Sequence, residues 1–185
     1  LNSLNNPESN SKGIEAQKKS LVLLKNLNNF LPLKKQTKVY LHGFDTNPSS
    51  ELEVTSLENA EVIIAKVKTP NEGVESEYIM EKLMGGGTLD FSKEVIEELL
   101  PLFNSKPTIL VMNLQRSAVL TKIEGLSKAI IADFDVDEKI ILELIQGNFS
   151  PTGKLPIELP SSIKAVEDQL EDLPFDSKNP LYEFG

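Results

Sequence analysis

The sequence predicts an α/β domain, a mostly parallel sheet with helices on both faces. Three observations predict it. Short, nearly continuous apolar runs recur at residues 38–42, 62–67, 108–113 and 128–133. Runs of this kind suit strands buried on both faces of a parallel sheet. Amphipathic stretches alternate with them, the pattern of strand–helix–strand crossovers. The 185 residues suffice for one domain with a sizeable core.

Taken in order, residues 1–12 are polar, with Asn, Ser and one Pro, and read as a linker or N-terminal arm. The folded domain is expected over 13–185. Residues 13–26 read as a helix, because Ile14, Leu21 and Leu24 fall near helical spacing with lysines between them. Leu31-Pro32-Leu33 ends it in extended form. A strand is expected over 38–42, stopped by Gly43; a weaker one over 52–55; a strong one over 62–67, closed by Pro70.

Residues 69–88 do not read as regular core. Pro70, Gly73 and Gly85-Gly86-Gly87 interrupt them, with room for a short helix over 76–84. Ser92 predicts the cap of a helix over 93–103, whose apolar face is Val95, Ile96, Leu99, Leu100 and Phe103. Strands over 108–113 and 128–133 follow. A helix over 137–146 has acids at its start, where the dipole favours them, and Gly147 at its stop. The proline-flanked run 155–159 predicts an edge strand. A last helix is expected over 162–170.

Composition narrows the function. Nineteen basic and 28 acidic residues give a formal charge of −9. Such a surface does not neutralise a phosphate backbone, so nucleic acid is not an expected partner. No apolar run approaches the 18 residues of a transmembrane helix, so no membrane partner is expected. No basic segment followed by an apolar stretch opens the chain, so no signal peptide is read, and a cytoplasmic or a secreted setting fits equally. With no cysteine and His42 as the one histidine, thiolate and multi-histidine metal sites are excluded. The triple glycine lacks the Gly-Lys-Ser/Thr ending of a phosphate loop, so no nucleotide cofactor is expected.

Ligands of open α/β sheets sit beyond the carboxyl ends of the strands. Those ends are the stretches 42–48, 68–87, 113–121 and 133–137, which can converge on one rim. The 69–88 stretch offers Glu72, Glu75 and Glu77. A carboxyl group there can act as a general acid if burial beside a substrate raises its pKa, or it can be a solvated loop charge. His42, at a strand end, can touch a ligand or be a hydrogen-bonded neighbour. Arg116, just past the 108–113 strand, can hold a sugar hydroxyl or pair with an acid. Ser117 has no evident base beside it.

Several segments carry a resemblance. Residues 16–26, AQKKSLVLLKN, leading to Leu31-Pro32-Leu33, are similar to a helix-to-LPL opening. PTILVMN at 107–113 continues through Arg116-Ser117-Ala118-Val119. IQGNFSPTGKLP at 145–156 looks like an LFG..NPSGKLP signature, and Pro180-Leu181-Tyr182-Glu183-Phe184-Gly185 like the start of PLYPFGYGLSY. In this order they resemble the C-terminal domain of glycoside hydrolase family 3, from about residue 13 to 185.

The resemblance implies a three-layer α/β/α sandwich with a mostly parallel sheet, flavodoxin-like in outline. It implies a retaining β-glycosidase of the β-glucosidase type, acting on terminal β-linked sugars without a cofactor or metal. The nucleophilic aspartate would lie on a preceding barrel domain, the domain's partner, and a loop glutamate of this domain would be the acid/base. A common form of that loop is Glu-Gly-x-Asp-Arg. Glu72-Gly73 matches its first two positions, and Val74-Glu75-Ser76 departs from it. A second form, NTPYEPR…G.LDF, is followed better by Thr69-Pro70-Asn71-Glu72 and by Gly87-Thr88-Leu89-Asp90-Phe91. Glu72 is the first choice under both, with Glu75 and Glu77 as alternatives. A non-catalytic carbohydrate-binding or scaffold domain is the competing expectation.

Overall fold

The structure is a computed structural model and describes residues 6–45, 51–71, 78 and 86–185. Helix α1 (Pro7–Ser20) leads into strand β1 (Val22–Asn26). Strands β2 (Lys38–His42), β3 (Glu53–Val54) and β4 (Val62–Lys68) follow. Helix α2 (Lys93–Ser105), strand β5 (Thr108–Asn113), the single turn α3 (Thr121–Glu124) and strand β6 (Ser127–Asp133) come next. Helices α4 (Glu138–Ile145) and α5 (Ile163–Glu167) complete the order.

The six strands form one sheet in the order β1-β6-β5-β4-β2-β3. All pairs are parallel except β1 with β6. Leaving out β1, the five parallel strands run 2-1-3-4-5 in their own order, the doubly wound arrangement of flavodoxin. The expected three-layer sandwich is therefore present. On one face Ile64, Ile109, Val111 and Ile131 pack against Ile140, Ile141, Leu144 and Ile145 of α4. On the other, Ile63, Ala65, Leu110 and Ile130 meet Leu99 and Phe103 of α2 and Ile123 of α3. Strand residues alternate strictly between these two cores, as a period of two requires.

Helix ends follow local chemistry. Asn6 caps α1 by accepting from Ser9 N at 2.7 Å, with Pro7 at the first helical position. Ser92 Oγ accepts from Val95 N at the start of α2, and Asp137 from Lys139 N at the start of α4. Gly147 ends α4 with φ +78°, and a Cβ there would meet Pro32 at 2.7 Å.

The structure corrects three expectations. The first helix does not run over 13–26. It starts at Pro7, inside the stretch read as an arm, and stops at Ser20, because Leu21 is extended and fully buried. Val22 and Leu23 then contribute to opposite cores as part of β1, with a bulge at Leu24. No strand forms over 155–159. Pro156 removes a donor from the run and Pro160 closes it, and a single bridge joins Leu159 to Tyr182. The sheet edge assigned to that run is occupied by antiparallel β1 instead. The final helix is five residues long rather than nine.

Residues that carried the resemblance hold this edge in place. Asn26 clamps a turn, its side chain accepting from Leu31 N at 2.8 Å and donating to Leu31 O at 3.1 Å. Lys25 pairs with Glu124 at 2.9 Å, and Tyr182 Oη donates to the same carboxylate oxygen at 3.3 Å. Gly153 lies so close to α1's exit that a Cβ would meet Leu21 O at 2.5 Å.

Candidate functional site

The carboxyl ends of β2, β4, β5 and β6 lie along one edge, since these strands are mutually parallel. The crossover direction changes between β2 and β4, the first and third parallel strands. A doubly wound sheet opens a crevice at that point, where its ligands bind. Its walls begin at His42-Gly43 and at Lys68-Thr69. Gly43 is required there: its φ is +72°, and a Cβ would fall 2.2 Å from Lys66 O. Thr69 is buried, and its N–H extends the β4–β5 ladder by donating to Asn113 O at 3.1 Å.

Beneath the edge lies a polar layer. Lys66 Nζ stands 3.1 Å from Glu138 Oε1, and Asp45 N donates to the same oxygen at 3.0 Å. Asn113 and Asp133 are buried. Asn113 Nδ2 donates to Asp133 Oδ2 at 3.0 Å and to Asp135 Oδ1 at 3.4 Å. Asp133 Oδ1 accepts from Val136 N at 2.7 Å, which shapes the turn where Asp135 takes φ +67°. Asn113 Oδ1 has no hydrogen-bond partner among the described residues. This layer braces the loops from below.

The proposed site residues divide as follows. Glu72, Glu75 and Glu77 lie outside the described residues, as does the short helix expected over 76–84 apart from Tyr78. His42 Nε2 is 3.7 Å from Glu98 Oε1 of α2, with 21% of the imidazole exposed. Arg116 points at the returning end of the 69–88 stretch. Its Nη1 donates to Gly86 O at 2.6 Å and its Nη2 to Gly87 O at 3.2 Å. Ser117 Oγ donates to Glu158 O at 3.4 Å. Among the described residues no group of three or more His, Asp or Glu is placed to hold a metal ion.

Comparison with known proteins agrees with the motifs. The chain is 35% identical over 176 residues to the periplasmic β-glucosidase/β-xylosidase of Dickeya chrysanthemi, covering 92% of this chain and 27% of that protein. It is 36% identical over 179 residues to the probable β-glucosidase C of Aspergillus oryzae, covering 94% and 28%. The chain thus spans little more than a quarter of the length of these relatives. Among solved structures, the β-glucosidase of Listeria innocua in complex with isofagomine superposes with a TM-score of 0.70 at 16% identity. That match takes in all of this chain and 34% of the other.

The chain belongs to glycoside hydrolase family 3.

No family model matches it. The β-D-glucoside glucohydrolase of Trichoderma reesei shares the fold of this family 3 domain with a TM-score of 0.68 at 16% identity, over 94% of this chain and 36% of that one. Sequence reasoning missed the bracing layer of the family 3 domain. Asn113 and Asp133 end apolar strands, the one signal that could have marked them. Nothing in the local sequence pairs Lys66 with Glu138, which are 72 residues apart.

Proposed function

We propose that this family 3 domain is the C-terminal part of a retaining β-glycosidase of the β-glucosidase type, which removes terminal β-linked sugars. Its carboxyl-edge loops complete the active site of an N-terminal barrel domain carrying the nucleophilic aspartate. One observation carries the reading: 35–36% identity, over more than nine-tenths of the chain, to proteins named as β-glucosidases.

Retention needs two carboxyl groups about 5–5.5 Å apart on either side of the scissile bond. This domain supplies one and the barrel the other. Glu72 is the proposed acid/base, with Glu75 and Glu77 as alternatives on the same stretch. Its support is its place in the sequence, directly after Asn71, which follows the end of β4. The acid protonates the leaving oxygen, then deprotonates the water that releases the sugar. His42, on the facing strand end, is a proposed contact for a sugar hydroxyl. Arg116, the other contact expected from the sequence, is not retained in that role, because its Nη1 and Nη2 donate to the carbonyls of Gly86 and Gly87.

The test uses the full-length protein with an aryl β-glucoside and an alkyl β-glucoside. Glu72→Ala should lower turnover of the alkyl substrate about 100-fold or more and of the aryl substrate far less, because only the poor leaving group needs the proton. Equal loss on both would remove Glu72 from the acid role. Glucose binding by this chain, with no hydrolysis by the full-length protein, would favour the carbohydrate-binding or scaffold reading.

A further inference from the structure

We propose that Arg116 is a positioning residue rather than a sugar ligand: it fixes the point at which the 69–88 stretch rejoins the domain. Five contacts define that point. Arg116 Nη1 and Nη2 donate to the carbonyls of Gly86 and Gly87, the two prongs of one planar guanidinium on successive peptide units. Gly86 N donates to Asn71 Oδ1 at 3.3 Å, so the departing and returning strands of the stretch meet. Gly87 turns at φ +79°, a conformation open to glycine at little cost. Two residues further on, Leu89 O accepts from Val119 N at 2.9 Å, and Asp90 pairs with Lys122 at 2.6 Å.

The platform that holds the fork is rigid. Leu114, Ala118, Val119 and Leu120 surround Arg116 in sequence and are all buried. Leu114 N donates to Asp133 O at 2.7 Å, which carries the β5–β6 ladder one step beyond the strands. A guanidinium suits the task because its donors are fixed in a plane and can meet two carbonyls at once. An ammonium is a point donor and reaches one carbonyl well. In a chain of net charge −9, carboxylates are plentiful, yet among the described residues none pairs with Arg116. Its charge is directed at backbone.

The functional consequence rests on the reading of this domain as half of a glycosidase site. Asn71 immediately precedes Glu72, so whatever fixes Asn71 against Gly86 fixes where the proposed acid begins. Arg116 then acts through the loop and touches no reacting atom.

Two measurements test this. In this chain, exchange of the two amides that tie the stretch down, Gly86 N and Val119 N, should speed up at least tenfold in Arg116→Ala, with the β4, β5 and β6 amides unchanged. Should Arg116→Ala lose strand protection as well, Arg116→Lys gives the same readout with an intermediate increase. Unchanged exchange at Gly86 and Val119 in the folded variant overturns the proposal. In the full-length protein, Arg116→Ala should lower kcat for the alkyl glucoside more than for the aryl glucoside, with KM moving less than about threefold. A sugar ligand would instead raise KM for both substrates alike, and that result also overturns it. Failure of the glycosidase reading shows itself separately, as absent hydrolysis by the unaltered protein, and leaves the exchange result standing.

Discussion

The Lys66 ammonium and the Glu138 carboxylate meet at 3.1 Å, with only 11% and 10% of the two side chains exposed. The pair joins β4 to the first turn of α4. Removing one partner of a buried pair leaves the other charge without its counterion, at a cost of about 3 kcal/mol. Lys66→Met and Glu138→Leu should therefore each shift the urea midpoint strongly. The double variant should lose less than the sum of the two, which a double-mutant cycle reads directly.

Gly43→Ala should destabilise by about 2 kcal/mol or more. A positive φ costs a side-chain-bearing residue about 1–2 kcal/mol, and the obstructing atom is the backbone oxygen of Lys66, which cannot rotate aside. Gly125→Ala is the matched control. It has φ −62° and nothing within 4 Å of its added methyl, so a change under about 0.5 kcal/mol is expected in the same denaturation experiment.

Asn113→Asp would place a third carboxylate beside Asp133 and Asp135. Burial and like charge would raise the pKa of the new group in the folded state above its unfolded value near 3.9. The folded state then holds its proton more tightly, so stability is kept at low pH and lost as pH rises through that window. The variant should be close to the parent at pH 4 and weaker by about 3 kcal/mol at pH 7. A pH-independent loss would show that the defect is steric.

Tyr182 gives an alkaline counterpart. Burial, and then the Glu124 carboxylate, push its phenol above the ordinary value of 10.0. The native state therefore keeps a proton that the unfolded chain releases, and stability falls as pH climbs past 10. Tyr182→Phe removes this dependence. The parent should lose up to about 1 kcal/mol more than the variant between pH 9.5 and 11 in chemical denaturation, the half-exposed ring being partly screened by solvent.

Strands β4, β5 and β6 were legible because their burial on both faces demands unbroken apolar runs. Helices α2 and α4 were legible because Ser92, Asp137 and Gly147 announce their ends in local chemistry. The segment from Leu21 to Asn26 was not, since LVLLKN satisfies a helical stripe and a strand equally well. Its pairing with β6, a hundred residues away, decides the matter, and no local window contains it. The run 155–159 failed for the converse reason: the right side chains, but too few backbone donors. At the candidate site, the rim itself followed from strand order. Arg116 was singled out by its place after β5, but its partners are main-chain carbonyls, which no side-chain pattern reveals.

The antiparallel edge has a consequence for how the chain is made. Val22 pairs with Ala132, and Asn26 with Ala129. A ribosome delivers the first of these partners some hundred residues before the second. Until β6 has been synthesised, Val22 and its neighbours have no strand to join, and their apolar side chains wait without a sheet to cover them. Parallel pairs such as β4 with β5 also close long loops, so the topology as a whole is non-local and slow to assemble. The earliest-made strand of this domain thus stays without its sheet partner until the last-made strand has emerged, the kind of exposed apolar segment that chaperones engage.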